Sequence, residues 1–363
     1  MKKTSIISLL YELSSYMSSK RKYQVIILLI LTILGSIAEI ISLGSVVPFI
    51  GVLVQPEKIF EYSYLNGFKN LLELNQPSDL ILPLTIIFGF AAIIAGSIRL
   101  LLLWVGIRFS NATGADLGME VYRRTLYQPY PVHVSRSSSE IISGITQKVG
   151  AATSVLLAIV TVITSGTMLL AILATLIFID PVIATLTLST FGIAYFSIAL
   201  FTKKRLTINS TEIATAQTSV IKSLQEGLGA IRDVLLSGTQ DIYASNYRFA
   251  INKLRFAQGS NSFINQAPRF GMESLGMILI ALLAYSLSFR EGGISNALPL
   301  LGALALGAQR LLPLLQMLYG NWSVVIGSKA SLIDVLTLLN QDLPKYADQP
   351  EPEAYFFKDS INF

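Results

Sequence analysis

Six long apolar runs dominate the sequence, and each can cross the hydrocarbon core of a bilayer, which takes about 20 helical residues. The runs hold few charged side chains and are separated by short turns or by long mixed segments. A water-soluble core could not hide so much apolar surface, so lipid must solvate much of it. The pattern therefore predicts an all-α membrane protein with six transmembrane helices, at residues 23–54, 80–108, 151–179, 182–201, 270–289 and 297–318.

Composition agrees with this prediction and limits the chemistry. Hydrophobic residues make up 52% of the chain and charged residues only 13%, against about 25% charged residues in soluble domains. The sequence contains no cysteine, and His133 is its single histidine. Disulfides, thiolate metal sites and multi-histidine metal sites are thereby excluded. We predict no catalytic, cofactor-binding or metal-binding residues.

The distribution of positive charge orients the predicted spans. Of the 27 Lys and Arg residues, 24 lie before the first span, between the second and third, between the fourth and fifth, or after the sixth, including a few near the span ends. The outer connections hold only Lys58, Lys69 and Arg290. By the positive-inside rule both termini are cytoplasmic, and the basic net charge needs no nucleic-acid partner. We expect an integral protein of the bacterial inner membrane.

The first 22 residues predict an amphipathic helix that lies at the membrane interface, followed by a basic segment. Ile6, Leu10, Leu13 and Met17 share one helical face. A signal peptide is the alternative. The basic residues 20–22 argue against it because they follow the helix, and no small-residue cleavage site precedes the next apolar run.

The two inner connections, residues 109–150 and 202–269, are long and keep a helical pattern. Residues 182–226 alone comprise 45 positions, or about 67 Å of helix against a hydrocarbon core of about 30 Å. The predicted helices therefore project far into the cytosol. Ordinary channels and secondary transporters tend to have shorter loops, so this length favours a machine driven from the cytoplasmic side.

Each inner connection contains a break. Two prolines follow Tyr127 in the first, and glycines flank residues 230–237 in the second. Proline removes a backbone donor and disfavours helix before it. These breaks predict either short helices of their own or simple turns of a helical hairpin.

Ionisable residues within the predicted spans are functional candidates, because each costs about 2.5–3.5 kcal/mol on insertion scales. Glu273 and Arg310 both lie about 21–24 Å below the outer surface by helix rise, so they could pair. A structural ion pair, snorkelling to the inner interface and a place in a translocation pathway remain alternatives. The candidates are Glu39, Arg99, Arg269, Glu273 and Arg310.

Three short segments carry a family resemblance: residues 38–50 in the first span, 268–273 at the fifth and 310–313 in the sixth. Together with the amphipathic helix in the first 22 residues and the two long inner connections, they resemble the transmembrane domain of type I ABC exporters, in the lipid-linked oligosaccharide flippase subgroup. This resemblance implies a six-span domain over residues 23–339. It also implies pairing with a second six-span half, as a homodimer or heterodimer, and a membrane lipid or lipid-linked substrate.

The resemblance further implies a nucleotide-binding partner, which would bind ATP and Mg²⁺. This partner would dock on the breaks in the two inner connections, which are then coupling elbows. The positions that match these coupling elbows are Tyr127, Pro129, Tyr130, Pro131, Arg232 and Asp233.

The end of the sequence is expected to be a linker and the start of a missing nucleotide-binding domain, residues 340–363. No G-x-x-x-x-G-K-[ST] phosphate loop occurs in the chain. The isolated chain is therefore expected not to be an enzyme, with ATP hydrolysis supplied by a separate or missing domain. A non-transporting remnant or scaffold of a truncated gene is one alternative. A lipid-modifying membrane enzyme is another, but it would need clustered carboxylates or histidines.

Overall fold

The computed structural model describes residues 5–54, 56–62, 67, 70, 74, 76–179, 181–288, 293–344, 346–347 and 349. Within these ranges, side chains are described except at 47, 179, 182–184, 186–187, 279–280, 283–284, 286–288, 293–308 and 310. All regular secondary structure in the described residues is helical. The predicted all-α class is confirmed.

The helices in chain order are α1 (Ile6–Ser15), α2 (Ser19–Gly44), α3 (Val46–Val54), α4 (Pro56–Phe60), α5 (Ile81–Leu126), α6 (Tyr130–Ser135), α7 (Ser138–Ser143), α8 (Val149–Ile179), α9 (Pro181–Gly229), α10 (Ile231–Ser237), α11 (Gln240–Ser288), α12 (Gly293–Gly327) and α13 (Lys329–Leu339). A 3₁₀ turn, Pro77–Leu80, precedes α5. A π-helical turn, Gly144–Lys148, joins α7 to α8.

Helices α9 and α11 are far longer than a membrane is thick. Each contains 49 residues, or about 74 Å at 1.5 Å per residue. Pro268 lies inside α11 without ending it. The predicted helical extensions beyond the spans are therefore present.

Three stretches of the described residues are long and apolar enough to cross a membrane: Ser19–Val54, Pro77–Leu126 and Ser138–Phe178. They contain the first three predicted spans. A fourth arises if Leu311–Gly327 and Lys329–Leu339, which bend by 53°, are counted together. The structure thus supports a membrane-spanning protein, while the count of six spans stays a prediction.

A large apolar core lies where α1 meets α5, α8 and α13. Leu9 and Leu13 of α1 are buried against Leu332 and Leu336 of α13 and Val121 of α5. Ile6, Leu10 and Met17 pack around this core, so the apolar face of α1 contacts protein. The amphipathic pattern predicts the helix correctly. Which residues cover its apolar face depends on the tertiary fold of the chain.

Two further clusters hold α9, α11 and α12 together. Within the predicted membrane region, Phe191 of α9 packs with Met272 of α11 and Tyr319 of α12. In the extensions, Val220 of α9 packs with Leu254 of α11. Helices α9 and α11 are therefore packed both within the predicted spans and along the extensions beyond them.

A charged contact fixes the start of α2 to α5. Arg21 Nε donates to Asp116 Oδ2 at 2.7 Å. This hydrogen bond is the main cause that raises the pKa of Arg21 above its already high ordinary value. The pair ties the segment before the first predicted span to the part of α5 that follows the second predicted span.

Candidate functional site

A cavity between α5, α8 and α12, here called the main cavity only as a label, has a volume of about 730 Å³. Apolar side chains such as Leu103, Leu157 and Met317 form most of its wall. Its polar groups are few and come from all three helices: Arg99, Thr161, Thr164, Ser165 and Gln309. A wall of this kind suits a ligand with a long apolar part and a small polar part.

Small residues on α5 make room for the cavity. Gly96 and Gly106 both line it. A Cβ atom at Gly96 would meet nothing within 4 Å, whereas one at Gly106 would come within 3.2 Å of Val160 on α8. Gly106 therefore permits the close approach of α5 and α8, and Gly96 leaves open space beside it.

Arg99 reaches this cavity from α5 and faces Glu39 of α2. Arg99 Nε lies 3.7 Å from Glu39 Oε2. Glu39 is fully buried, whereas the Arg99 side chain is 44% exposed. The guanidinium therefore balances a buried carboxylate, while the partly exposed arginine side chain also lines the cavity. These two sequence candidates are brought together, although no spacing rule linked them.

A smaller, more polar pocket of about 370 Å³ lies between α11 and α12. Its polar wall consists of Asn265, Gln266, Arg269, Gln316 and Asn321. Pro313 and Met317 line both this pocket and the main cavity. The two spaces therefore lie on either side of the same turns of α12.

Arg269 and Glu273 form an ion pair at the rim of the polar pocket. Arg269 Nε donates to Glu273 Oε1 at 2.7 Å, one helical turn apart on α11. The sequence allows Glu273 to pair with Arg310, whose side chain lies outside the described residues. The partner that the structure gives Glu273 is thus a neighbour on its own helix.

The two predicted breaks are short helices in the structure. Helix α6 begins after Pro129, whose extended backbone ends the preceding turn, and it contains Tyr130 and Pro131. Helix α10 contains Arg232 and Asp233 and ends at Ser237, just before Gly238, which has a φ of 66°. That left-handed conformation favours glycine because a side chain would be strained there. The coupling role of these helices stays a prediction.

A shallow concavity of about 800 Å³ lies beside α10, between the ends of α9 and α11. Its wall includes Gln225, Ser237, Thr239, Tyr243 and Asn246. Tyr130 of α6 is 80% exposed. The short helices in both inner connections, α6 and α10, therefore border exposed surface that another protein could contact.

Sequence reasoning missed a polar cluster around the end of α13, here called the exit cluster. Arg124 Nη1 donates to the carbonyl oxygens of Leu339 at 2.7 Å and Gln341 at 2.9 Å. Gln128 Nε2 donates to the carbonyl oxygen of Asp342 at 3.0 Å. No local motif signals these contacts, because their partners are more than 200 residues apart in sequence.

Side chains of α1 complete the exit cluster. Asn340 Nδ2 donates to Glu12 Oε1 at 2.6 Å, and Tyr16 donates its hydroxyl hydrogen to Asn340 Oδ1. The Arg124 guanidinium lies 5.1 Å from the centre of the Tyr16 ring. Helices α1 and α5 thereby hold the backbone that leaves α13.

Comparison with known proteins identifies the membrane region. Residues 23–297 match the ABC transporter transmembrane region family, which is more than half of the chain. No curated protein matches the sequence. The matched range begins in α2 and includes the long helices α5, α8, α9 and α11. The chain therefore belongs to the ABC transporter transmembrane region family.

Proposed function

We propose that this chain is the permease of an ATP-driven ABC exporter that moves an amphiphilic, lipid-like molecule across the membrane. The observation that carries the proposal is the cavity between α5, α8 and α12, with its apolar wall and the partly exposed side chain of Arg99. Its volume of about 730 Å³ falls in the range of small-molecule sites, about 300–1,000 Å³. An acyl or isoprenoid chain fits such a wall, and a phosphate or carboxylate suits the arginine.

The polar pocket between α11 and α12 supports the same class of cargo. Arg269 keeps most of its side chain exposed although it is paired with Glu273. Amides of Gln266 and Asn321 surround it. Because the pocket adjoins the main cavity, a headgroup could bind there while its chain occupies the apolar space. The flippase-like resemblance makes a lipid-linked glycan the leading cargo.

The proposal includes six spans, cytoplasmic termini and placement in the bacterial inner membrane. The asymmetry of Lys and Arg supports this topology. ABC transmembrane domains typically form dimers and pair with nucleotide-binding domains, and the exposed ends of the excursions at α6 and α10 suit such docking. ATP and Mg²⁺ would be bound by the nucleotide-binding partner.

Photolabelling tests the cargo site. The purified chain in nanodiscs is irradiated with phosphatidylglycerol that carries a diazirine on one acyl chain, and labelled peptides are identified by mass spectrometry. We expect labels in residues 96–106, 157–168 and 309–317, with competition by unlabelled phosphatidylglycerol. Labels that resist competition and lie only on lipid-facing positions would contradict the proposal.

A pair of glycine variants sharpens this experiment. Gly96→Phe should fill the cavity and reduce labelling several-fold, because its Cβ points into open space. Gly89→Phe is the matched control on the same helix, since Gly89 also has open space but does not line the cavity. Equal labelling in the two variants would show that the lipid does not bind in the cavity.

A further inference from the structure

Helix α9 carries three consecutive basic residues, Lys203, Lys204 and Arg205, here called the basic collar. All three are exposed. The predicted fourth span ends at Phe201, so Lys204 lies about 4.5 Å beyond it at 1.5 Å per residue. Consecutive residues of a helix point about 100° apart, so the three cations spread over about 200° of the helix surface. The collar therefore places three positive charges at the predicted depth of the lipid headgroups.

No acidic residue close in sequence or in register balances the collar. Residues 181–211 of α9 contain neither Asp nor Glu. Asn209 Nδ2 donates to Asn261 Oδ1 of α11 at 2.8 Å, which sets the collar level with residues inside 256–268 of that antiparallel helix. Those residues carry no charge. Among the described residues, no ion pair includes a collar side chain. The positive charge is therefore available to an anion from outside the chain.

On the membrane side of the collar, α9 exposes four large apolar side chains, here called the apolar row: Ile193, Phe196, Leu200 and Phe201. Leu200 and Ile193 precede Lys204 by 4 and 11 residues, so all three share one face of the helix. The opposite face is already used, because Phe191 and Tyr195 are buried against α11 and α12. The apolar row lies inside the predicted fourth span, where hydrocarbon is the solvent. The row therefore suits the acyl chains of a lipid.

The order of these two features along α9 indicates which partner fits. An acidic protein surface would neutralise the basic collar but leave the apolar row without a cover. An apolar helix of a second copy would cover the row but would bury cations without counter-charges, which is costly. A phospholipid meets both requirements, because its phosphate and its acyl chains follow each other in the same order as the collar and the row. Basic clusters at the cytoplasmic end of a transmembrane helix also attract anionic lipids.

We propose that α9 binds an anionic phospholipid of the cytoplasmic leaflet, of the phosphatidylglycerol class, with its phosphate on the basic collar and its chains along the apolar row. Lysine and arginine form short charge-assisted hydrogen bonds to phosphate oxygens. Lys203 and Arg205 flank Lys204, and their long stems can bring their charges to one phosphate. This lipid is a resident partner and not the cargo, because the main cavity lies between α5, α8 and α12. The site depends on the predicted position of the fourth span and not on the identity of the cargo.

Photolabelling with a defined lipid tests the site. The whole chain in phosphatidylcholine nanodiscs receives a small fraction of phosphatidylglycerol that carries a diazirine on one acyl chain. We expect labels in residues 193–201 that unlabelled phosphatidylglycerol suppresses and added phosphatidylcholine does not. Excess inorganic phosphate should not suppress them, because it has no chains to fill the apolar row. Suppression by inorganic phosphate would overturn the proposal and indicate a site for a free anion. A lack of labels would also overturn it, because protein would then cover the row.

A triple substitution, here called the collar variant, identifies the groups that hold the phosphate. It combines Lys203→Gln, Lys204→Gln and Arg205→Gln. Labelling of residues 193–201 should fall at least tenfold, because each basic residue near an anionic lipid surface contributes roughly fivefold to binding. Unchanged labelling in the collar variant would overturn the proposal.

A charge-matched control separates a local effect from a loss of net charge. Arg248→Gln with Lys253→Gln and Arg255→Gln removes the same charge from exposed positions of α11. These residues precede the predicted fifth span by at least about 22 Å of helix, so the control should keep the labelling of the wild type. An equal loss in the control and in the collar variant would mean that net charge alone attracts the lipid, which would also overturn the site.

Thermal unfolding in detergent gives a second measurement. Without added lipid, the collar variant should melt as the wild type does, because the collar side chains are exposed. Added phosphatidylglycerol should raise the melting temperature of the wild type more than that of the variant, since a ligand stabilises the folded state that binds it. An equal rise in both would overturn the proposal. Labels in residues 96–106, 157–168 and 309–317 should persist in the collar variant, so failure of this site is distinct from failure of the proposed function.

Discussion

At the scale of single residues, Gly114 sets how closely α5 and α8 can approach. A Cβ atom there would overlap the side chain of Thr153, and turning that side chain would not help because its own Cβ would lie at 3.0 Å. Gly118, one turn further along α5, has room, since its nearest contact would be Val149 at 3.6 Å. The two glycines thus look alike in sequence but differ in their surroundings.

We predict opposite effects of alanine at these two positions. Gly114→Ala should destabilise the protein by about 1–3 kcal/mol through overpacking. Gly118→Ala should be neutral or stabilise it by up to about 1 kcal/mol, because alanine favours helix over glycine. The measurement is the melting temperature in detergent by fluorescence-detected size-exclusion chromatography. Equal melting temperatures would show that the helices can separate at no cost.

Lys148 is a buried charge that depends on one partner. It lies in the π-helical turn Gly144–Lys148, and its Nζ is 2.5 Å from Asp334 Oδ2 on α13. The lysine side chain is 5% exposed and the aspartate 41%. Removing the aspartate would leave a buried ammonium group without its counter-charge, which is the costly way to break such a pair.

We therefore expect Asp334→Asn to destabilise the protein by about 1–3 kcal/mol, less than a fully buried pair would give because Asp334 is partly exposed. The double variant Lys148→Met with Asp334→Asn should recover most of this loss. Thermal unfolding of the purified variants measures both effects. A double variant as unstable as Asp334→Asn alone would mean that the aspartate acts through other contacts.

At the scale of elements, the exit cluster decides where the chain leaves α13. Arg124 contacts two backbone carbonyls there, Glu120 on its own helix and the ring of Tyr16. Arginine suits this place because its planar group offers several donors in fixed directions. Any domain that follows the described residues would therefore start from a fixed point on α1 and α5.

Arg124→Ala should release this segment without unfolding the spans. Hydrogen exchange followed by mass spectrometry should become at least tenfold faster in peptides covering residues 339–347 and remain unchanged in α8 and α9. Arg124→Lys should give a partial release, because one ammonium group cannot replace all the contacts. Arg108→Ala is the control on the same helix, with its arginine lying over Trp104 and not in the cluster. Unchanged exchange after Arg124→Ala would contradict the anchoring role.

At the scale of the whole molecule, the charge asymmetry predicts sidedness. Single cysteines at Lys69 and at Ser219 should react differently with an impermeant maleimide in intact cells. Lys69→Cys, in an outer connection, should label from outside, and Ser219→Cys, on the extension of α9, only after permeabilisation. Labelling of Ser219→Cys in intact cells would overturn the predicted topology.

The purified chain should show no saturable ATP hydrolysis, because the sequence contains no phosphate loop. Hydrolysis should depend on an added nucleotide-binding subunit, and disrupting the exposed helix at Tyr130 or at Arg232 should then separate hydrolysis from transport. A malachite green assay on protein free of other ATPases measures the first part. Saturable ATP hydrolysis by the chain alone would contradict the permease proposal. Unchanged coupling of hydrolysis to transport in the variants would contradict the coupling role of α6 and α10.

Much of the architecture follows from the sequence because it depends on local or average properties. The length of the apolar runs predicts a membrane protein. A continuous helical period without proline predicts that α9 extends beyond the membrane. Helix α6 begins after Pro129, which restricts the backbone, and α10 ends before Gly238, which tolerates a left-handed conformation. The match to the ABC transporter transmembrane region agrees with the family resemblance, while the finer subgroup stays a prediction.

The tertiary structure alone decided which side chains meet. Glu39 faces Arg99, Lys148 binds Asp334, and Arg124 holds a segment more than 200 residues away. Sequence depth could suggest that two charges are level, but not which helix faces which. The same holds for apolar residues: Leu13 and Phe256 are both hydrophobic, yet one is buried under α13 and the other is exposed on α11. Hydrophobicity is non-directional, so only the packing of distant helices determines whether protein, lipid or a second copy covers an apolar face.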